Sequence, residues 1–270
     1  MNAIKNKLPL SATSIKIIAV ILMVFDHVLE MFSHLGVPGW FFWLGRPVRF
    51  LFLFLMADSF YYTRSRKKFL LRLFYASCFM VVSSFILREL LPHPNEDVLL
   101  MNNAFSTFLI AGLYMLFWDM LVDGIKNKNV RKIVGSLLLC LTPFIASIPA
   151  YLVVNAVGDE ETLSFTGMAL IRATNLIPNM LFVEGGAMAV AIGVLFYIFR
   201  KWRWAQIAVL AAFSVIVFFD KYQAFQWMMV FAVIPMLLYN GERGRGMKDF
   251  FYIFYPAHLF VLYIIAALWK

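Results

Sequence analysis

Long apolar runs recur along the whole chain, separated by short polar segments, and this pattern restricts the fold more than any other feature of the sequence. A run of about twenty apolar residues is long enough to cross the hydrocarbon core of a bilayer as a helix. Nine such runs occupy about 15–35, 40–62, 69–91, 103–123, 133–157, 179–200, 203–219, 223–239 and 249–269. Of the 270 residues, 63% are hydrophobic and 14% charged, with a mean hydropathy of +0.80, far from the balance of a soluble domain. The expectation is an all-α, polytopic integral membrane bundle of about nine transmembrane helices. With no internal repeat, low-complexity tract or linker, residues 1–270 form a single domain on this reading. Lys5 and Lys7 precede an apolar stretch as in a signal peptide, but no small-residue cleavage pattern follows and Asp26-His27 interrupts the run. The first run is therefore read as a retained span.

The polar segments alternate in chemistry. NAIKNK, TRSRKKFLLR, KNKNVRK, RKWR and NGERGRGMK hold 17 of the 24 Lys and Arg residues, whereas SHLGVPG, LLPHPNED, GDEE and FDKY, with the C-terminal Lys270, are acidic or nearly uncharged. Placing the N-terminus in the cytoplasm and the C-terminus outside satisfies the Lys/Arg bias at every loop, and the inverse placement violates it at every loop. The net charge of +9 is thus spread over cytoplasmic loops, and nucleic acid is not an expected partner. Residues 162–176 can lie along the outer interface. His34 and His93 fall in outer segments and read as solvated. Cys78 and Cys140 sit singly inside apolar runs, without metal-type spacing, and read as packing residues; no metal site is expected.

Charges inside the spans need a reason, because Asp or Arg at the centre of a spanning helix costs about 2.5 to 3.5 kcal/mol. Counting about 1.5 Å of rise per residue from the inner edge, His27 lies ~18 Å deep, Arg49 ~18 Å and Arg46 ~22 Å. Asp26, His27, Arg46 and Arg49 then share one layer slightly outside the membrane centre. Lys16 and Asp58 form a second layer near the inner edge. Eleven residues at about 100° each return to within about 20° of the starting face, so Lys16 and His27 point the same way. His258, in the last run, lies ~13 Å deep. Asn102, Asn103, Thr107 and Glu184 are further polar groups within or beside the spans.

A cation near the cytoplasm and a histidine further out suit a long anionic donor with a reactive far end, which is the form of a coenzyme A thioester. Lys16 and the loop residues Arg64, Arg66, Lys67, Lys68, Arg243, Arg245 and Lys248 are candidates to hold its phosphates. His27 is the candidate general base toward an acceptor hydroxyl or amine. Arg49 or Arg46 is positioned for the developing oxyanion, Asp26 for pairing those guanidiniums at rest, and His258 as a weaker catalytic candidate. Asp58 joins the donor-binding set.

At these residues a resemblance enters. LSATSIKIIAVILMVFDHV, LGRPVRFLFLFLMADSFYYTRSRKKFLLRL and YNGERGRGMKDFFYIFYPAHLFVLY resemble the TraX family of membrane proteins, known from the acetylase of conjugative pilin. The resemblance covers about 11–75 and 236–264 and is faint between them. A basic residue eleven positions before a histidine in the first span is also similar to the bacterial acyltransferase-three group, which prefers Arg where this chain has Lys16. Together they imply a multi-pass protein of the bacterial cytoplasmic membrane that moves acetyl from acetyl-coenzyme A to a surface glycan, a lipid-linked sugar or a protein N-terminus. They place the donor role on Lys16 and the catalytic role on His27. Two other readings stand beside this one: a proton-coupled or anion transporter using the Asp26/His27/Arg46/Arg49 layer, and a non-catalytic membrane assembly factor.

Overall fold

The computed structural model describes residues 8–95, 98, 100–157, 165–220 and 225–269. Lys5, Lys7, Glu96, Asp97, Asp159, Glu160, Glu161, Lys221 and Lys270, which entered the loop assignment, lie outside these residues, as do 162–164 and the side chain of Lys248. The described regular elements are all helical. In chain order they are α1 (Ala12–Phe32), α2 (Phe41–Gly45), α3 (Val48–Tyr62), α4 (Arg66–Leu90), α5 (Ala104–Lys126), α6 (Val130–Ile145), α7 (Ser147–Val157), α8 (Phe165–Thr174), α9 (Gly186–Ile198), α10 (Arg203–Phe218), a 3-10 segment (Gln226–Ala232) leading into α11 (Val233–Leu238), and α12 (Lys248–Leu268). Arg66–Leu90, Ala104–Lys126, Val130–Val157 and Asp249–Leu268 are each long and apolar enough to cross a membrane. The protein is a helical membrane protein.

Three of the expected continuous runs are broken, each for a local reason. The run at 40–62 divides into α2 and α3 at Arg46-Pro47, where proline removes a backbone donor and crowds the preceding turn. The run at 133–157 divides at Ala146, just after Pro143, and the Ser147 hydroxyl donates to the Pro143 carbonyl at 2.9 Å. The run at 179–200 becomes helical only at Gly186. Gly185 and Gly186 have φ of +83° and +66°, left-handed backbone that suits glycine and ends any upstream helix. Asn179 shapes that approach: its Nδ2 donates to the carbonyls of Thr174 and Ile177, and its Oδ1 accepts from the amides of Leu181 and Phe182. The 13 residues of α9 span only ~20 Å against a ~30 Å core. Phe165–Thr174, within the segment expected to lie at an interface, is helical.

The helices group into two compact units. The first comprises Met1–Ser59, Leu90–Leu100 and Leu195–Lys270; the second comprises Phe60–Glu89 and Met101–Val194. In the first unit α1 buries Ile15, Ala19, Met23, His27 and Met31, a stripe at helical spacing that packs toward α12. In the second, α5 and α6 form a hairpin, closed by the Asn129 amide donating to the Gly124 carbonyl at 2.8 Å. Leu137, Leu138, Leu141 and Phe144 along α6 and its end are exposed, as apolar side chains facing lipid are.

Candidate functional site

The start of α1 is fixed by its own cap and by a distant loop. Ser11 Oγ accepts from the Ser14 amide at 3.2 Å, satisfying one orphan donor of the first turn. The loop after α11 then wraps over this end. Asn240 N donates to Leu10 O at 2.9 Å, Ala12 N donates to Glu242 O at 2.8 Å, and Thr13 Oγ1 donates to the carbonyls of Arg243 and Arg245 at 3.0 and 2.6 Å. Gly244 sits in left-handed backbone, φ +70°, with the Ser11 side chain so close that a Cβ would lie 2.5 Å from its hydroxyl oxygen. The result is a basic loop anchored at the helix entrance, with Arg243 and Arg245 exposed. Lys16, half-buried one turn on, holds its ammonium 5.4 Å from the Phe251 ring centre.

Lys16 and Asp58, expected as one layer, have different partners. Tyr239 donates its hydroxyl to Asp58 Oδ2 at 3.3 Å, while the Arg203 guanidinium donates to the Tyr239 carbonyl and lies over its ring at 5.1 Å. Asp58 thus belongs to a Tyr239–Arg203 cluster that spacing along the chain does not reveal.

Further along α1, Asp26 meets the end of α2. Arg46 Nη2 donates to both Asp26 oxygens at 3.0 and 3.1 Å, Nη1 donates to Gln226 Oε1 at 3.2 Å and Nε donates to Phe42 O at 3.2 Å. The guanidinium also stacks on the Phe42 ring at 3.6 Å. This approach depends on Gly45, because a Cβ there would stand 2.1 Å from Asp26 Cγ. The Gly-Arg-Pro sequence therefore supplies the space, the cation and the bend in three successive residues. Arg49, half-buried, follows in the first turn of α3.

His27 and His258 form the centre of the site. His27 Nδ1 and His258 Nε2 are 2.8 Å apart, and His258 Nδ1 is 2.8 Å from the Phe254 carbonyl. A carbonyl only accepts, so His258 Nδ1 carries a proton, and in the neutral ring its Nε2 is then an acceptor. His27 consequently donates through Nδ1 and keeps the lone pair of its Nε2. The two imidazoles are 5% and 8% exposed, and the Phe254 ring stacks on His258 at 4.9 Å. Glu30 Oε2 lies 4.0 Å from His27 Nε2, one turn further along the same helix.

The remaining basic candidates lie in the second unit. Arg64, Lys67 and Lys68 are exposed at the start of α4, whose first turn is capped by Ser65 Oγ accepting from the Lys68 amide at 3.3 Å. Arg66, also in the donor-binding expectation, pairs with Asp119 at 2.6 Å. His93, expected to be solvated, is buried: its ring lies 5.3 Å from that of Tyr263 and 5.6 Å from that of His34. Sequence reasoning missed Glu30, Gly45, Gln226, Tyr239 and Arg203. Glu30 and Gly45 carried a local signal, the first three residues after His27 and the second directly before Arg46-Pro47.

These features define a helical membrane protein with a hydrogen-bonded histidine pair beside a half-buried Asp–Arg pair. Residues 11–266 match the family model described as TraX protein, and the chain belongs to the TraX family. No curated protein and no solved structure matches it. The family is associated with pilin acetylation, which points to transferase chemistry.

Proposed function

We propose that the protein is an acetyltransferase of the bacterial cytoplasmic membrane. It uses acetyl-coenzyme A and an acceptor hydroxyl or amine on a glycan, a lipid-linked sugar or a protein N-terminus. The observation that carries this reading is the 2.8 Å contact between His27 Nδ1 and His258 Nε2, which leaves the His27 Nε2 lone pair as a base. As the acceptor oxygen or nitrogen attacks the thioester carbonyl, Nε2 takes its proton. The tetrahedral intermediate then expels coenzyme A as a thiolate, and the His27 imidazolium returns the proton to that sulfur. His258 holds the His27 ring and tautomer through both steps and disperses the imidazolium charge, a positioning role.

The other groups follow from this assignment. Arg46 and Arg49 supply positive charge to the oxyanion, Arg46 from the fixed position set by Asp26 and Gln226. Lys16, Arg243 and Arg245, gathered at the start of α1, take the donor phosphates; Arg64, Lys67 and Lys68 add to the cytoplasmic positive charge. Asp58, through Tyr239, steadies the loop that carries Arg243 and Arg245. The proposal keeps nine spans with the N-terminus in the cytoplasm, so that donor and acceptor arrive from opposite sides.

The test is acetyl-coenzyme A binding and thioester cleavage by purified protein in lipid nanodiscs. Saturable binding lost in Lys16→Ala, and cleavage lost in His27→Ala while binding persists, are expected. Absence of binding by folded protein at millimolar donor overturns the proposal and turns attention to transport through the Asp26/His27/Arg46/Arg49 layer.

A further inference from the structure

The turn between α5 and α6 joins two stretches, Ala104–Lys126 and Val130–Val157, that are each long and apolar enough to cross a membrane, so it stands at a membrane face. Its backbone is fixed by local hydrogen bonds. The amides of Asn127 and Lys128 donate to the carbonyls of Asp123 and Ile125 at 3.0 and 3.2 Å, and Asn129 Oδ1 caps α6 by accepting from the Lys132 amide at 3.1 Å. Gly124 lets the two helices meet closely, since a Cβ there would lie 3.0 Å from Ile133 Cγ1.

Charge at this end of the second unit is unbalanced. Its carboxylates, Asp119 and Asp123, are each paired at 2.6 Å, with Arg66 and Lys132. Lys126, Lys128 and Arg131 are exposed, and their side chains make no hydrogen bond or ion pair among the described residues. The Arg66–Asp119 pair also brings the start of α4 beside this end, where exposed Lys67, Lys68 and Arg72 add to the positive field. Lys128 itself has φ +52°, in the left-handed region that glycine and asparagine adopt more readily. A cation therefore occupies the apex of the turn at a conformational cost.

Two apolar side chains decide the kind of anion. Ile125 and Val130 flank the cations and are 58% and 68% exposed. A soluble anion satisfies the cations and leaves these two side chains in water, whereas a phospholipid satisfies both. The lysines suit such a boundary, because their alkyl stems lie along apolar surface while the ammonium reaches the headgroup.

We propose that the α5–α6 turn binds an anionic phospholipid, with its headgroup on Lys126, Lys128 and Arg131 and the first carbons of its acyl chains against Ile125 and Val130. The inference is independent of the acetyl-transfer proposal, and its test uses no acetyl-coenzyme A.

The experiment places the protein in phosphatidylcholine nanodiscs that carry a small fraction of a lipid with a photoactivatable group near the start of one acyl chain. The probe is phosphatidylglycerol, which is anionic, or phosphatidylcholine, whose choline cancels the phosphate charge. After illumination, mass spectrometry maps the labelled peptides. One basic residue at an anionic surface is worth about fivefold, so the phosphatidylglycerol probe is expected to label the turn at least about tenfold more than its counterpart. Lys128→Asn is expected to lower that ratio by about fivefold while keeping or raising the thermal midpoint, because asparagine accepts left-handed backbone. Adding Lys126→Gln and Arg131→Gln is expected to bring the ratio close to one; if that triple variant does not fold, Lys128→Asn alone decides. Equal labelling of the wild-type turn by the two probes, or a ratio that survives these substitutions, overturns the proposal.

Discussion

The first unit places titratable groups against one another, His27 on His258 and Asp26 on Arg46, whereas the second surrounds a buried guanidinium with amides and hydroxyls. An imidazole gains and loses a proton near neutral pH; an asparagine amide does not. The first arrangement therefore contains side chains that exchange protons near neutral pH, and the amides and hydroxyls around the guanidinium in the second do not. Both lie in membrane-protein helices, where an isolated charge is expensive, so each guanidinium is held by hydrogen-bond acceptors. In the first unit a carboxylate receives the Arg46 guanidinium, and in the second the Ser84 hydroxyl receives that of Arg172.

The sharpest way to break this comparison is to remove the base. His27→Ala is expected to lower thioester cleavage by about 10²- to 10⁴-fold, the usual contribution of a positioned general base. Single-turnover kinetics with acetyl-coenzyme A check it. Asn175→Leu, in the other unit, is the comparison: a loss of cleavage as large as that of His27→Ala refutes the assignment of the chemistry to the first unit.

Gly45→Ala tests the packing beneath the Asp26–Arg46 pair. A Cβ at 2.1 Å from Asp26 Cγ forces the helices apart or swings the carboxylate off Arg46. Overpacking of this kind costs about 1–3 kcal/mol. The thermal midpoint is expected to fall, while Gly135→Ala, whose Cβ meets nothing within 4 Å, leaves it unchanged or slightly raised. Equal midpoints for the two variants refute the close-approach argument.

How far the sequence carries the fold and the site follows from these same residues. Apolar runs reveal helices because length and hydropathy are local properties, and four of the helices are long enough to span by that criterion. The eleven-residue spacing placed Lys16 and His27 on one face, since helical rotation is also local. The breaks at Pro47 and at Gly185-Gly186 were visible as residues, but apolar neighbours on both sides concealed that the helix stops there. The partners Gln226, Tyr239 and Phe251 stand 180 or more positions from Arg46, Asp58 and Lys16 and have no local signature. His93 read as a loop residue because its flanks are Pro92 and Pro94, yet burial against Tyr263 comes from the last helix.

His258 separates positioning from chemistry. His258→Ala removes the acceptor of His27 Nδ1 and is expected to lower cleavage by about tenfold, less than removal of the base itself. His258→Gln offers a carbonyl oxygen to the same N–H, and recovery of part of the rate is expected there. The pH profile distinguishes a general loss of structure from a loss of positioning. If the tautomer is the issue, the apparent pKa of the cleavage reaction moves in His258→Ala and returns toward the wild-type value in His258→Gln.

The smallest expected effect concerns a histidine outside the proposed chemistry. Burial, with a lesser contribution from neighbouring His34, pushes the His93 pKa below its ordinary value of 6.5, against an upward pull from the Asn95 and Met31 backbone. The folded state therefore favours neutral His93, and the unfolded chain takes up its proton first as pH falls. The stability this provides is fully present above about pH 6.5 and is lost as pH falls through the lowered folded value. His93→Phe keeps a ring against Tyr263 and removes the titration. Between about pH 7.5 and about pH 5, the wild-type midpoint is expected to drop further than that of His93→Phe, the difference isolating His93 from His27 and His258. Parallel curves rule out a linkage at His93.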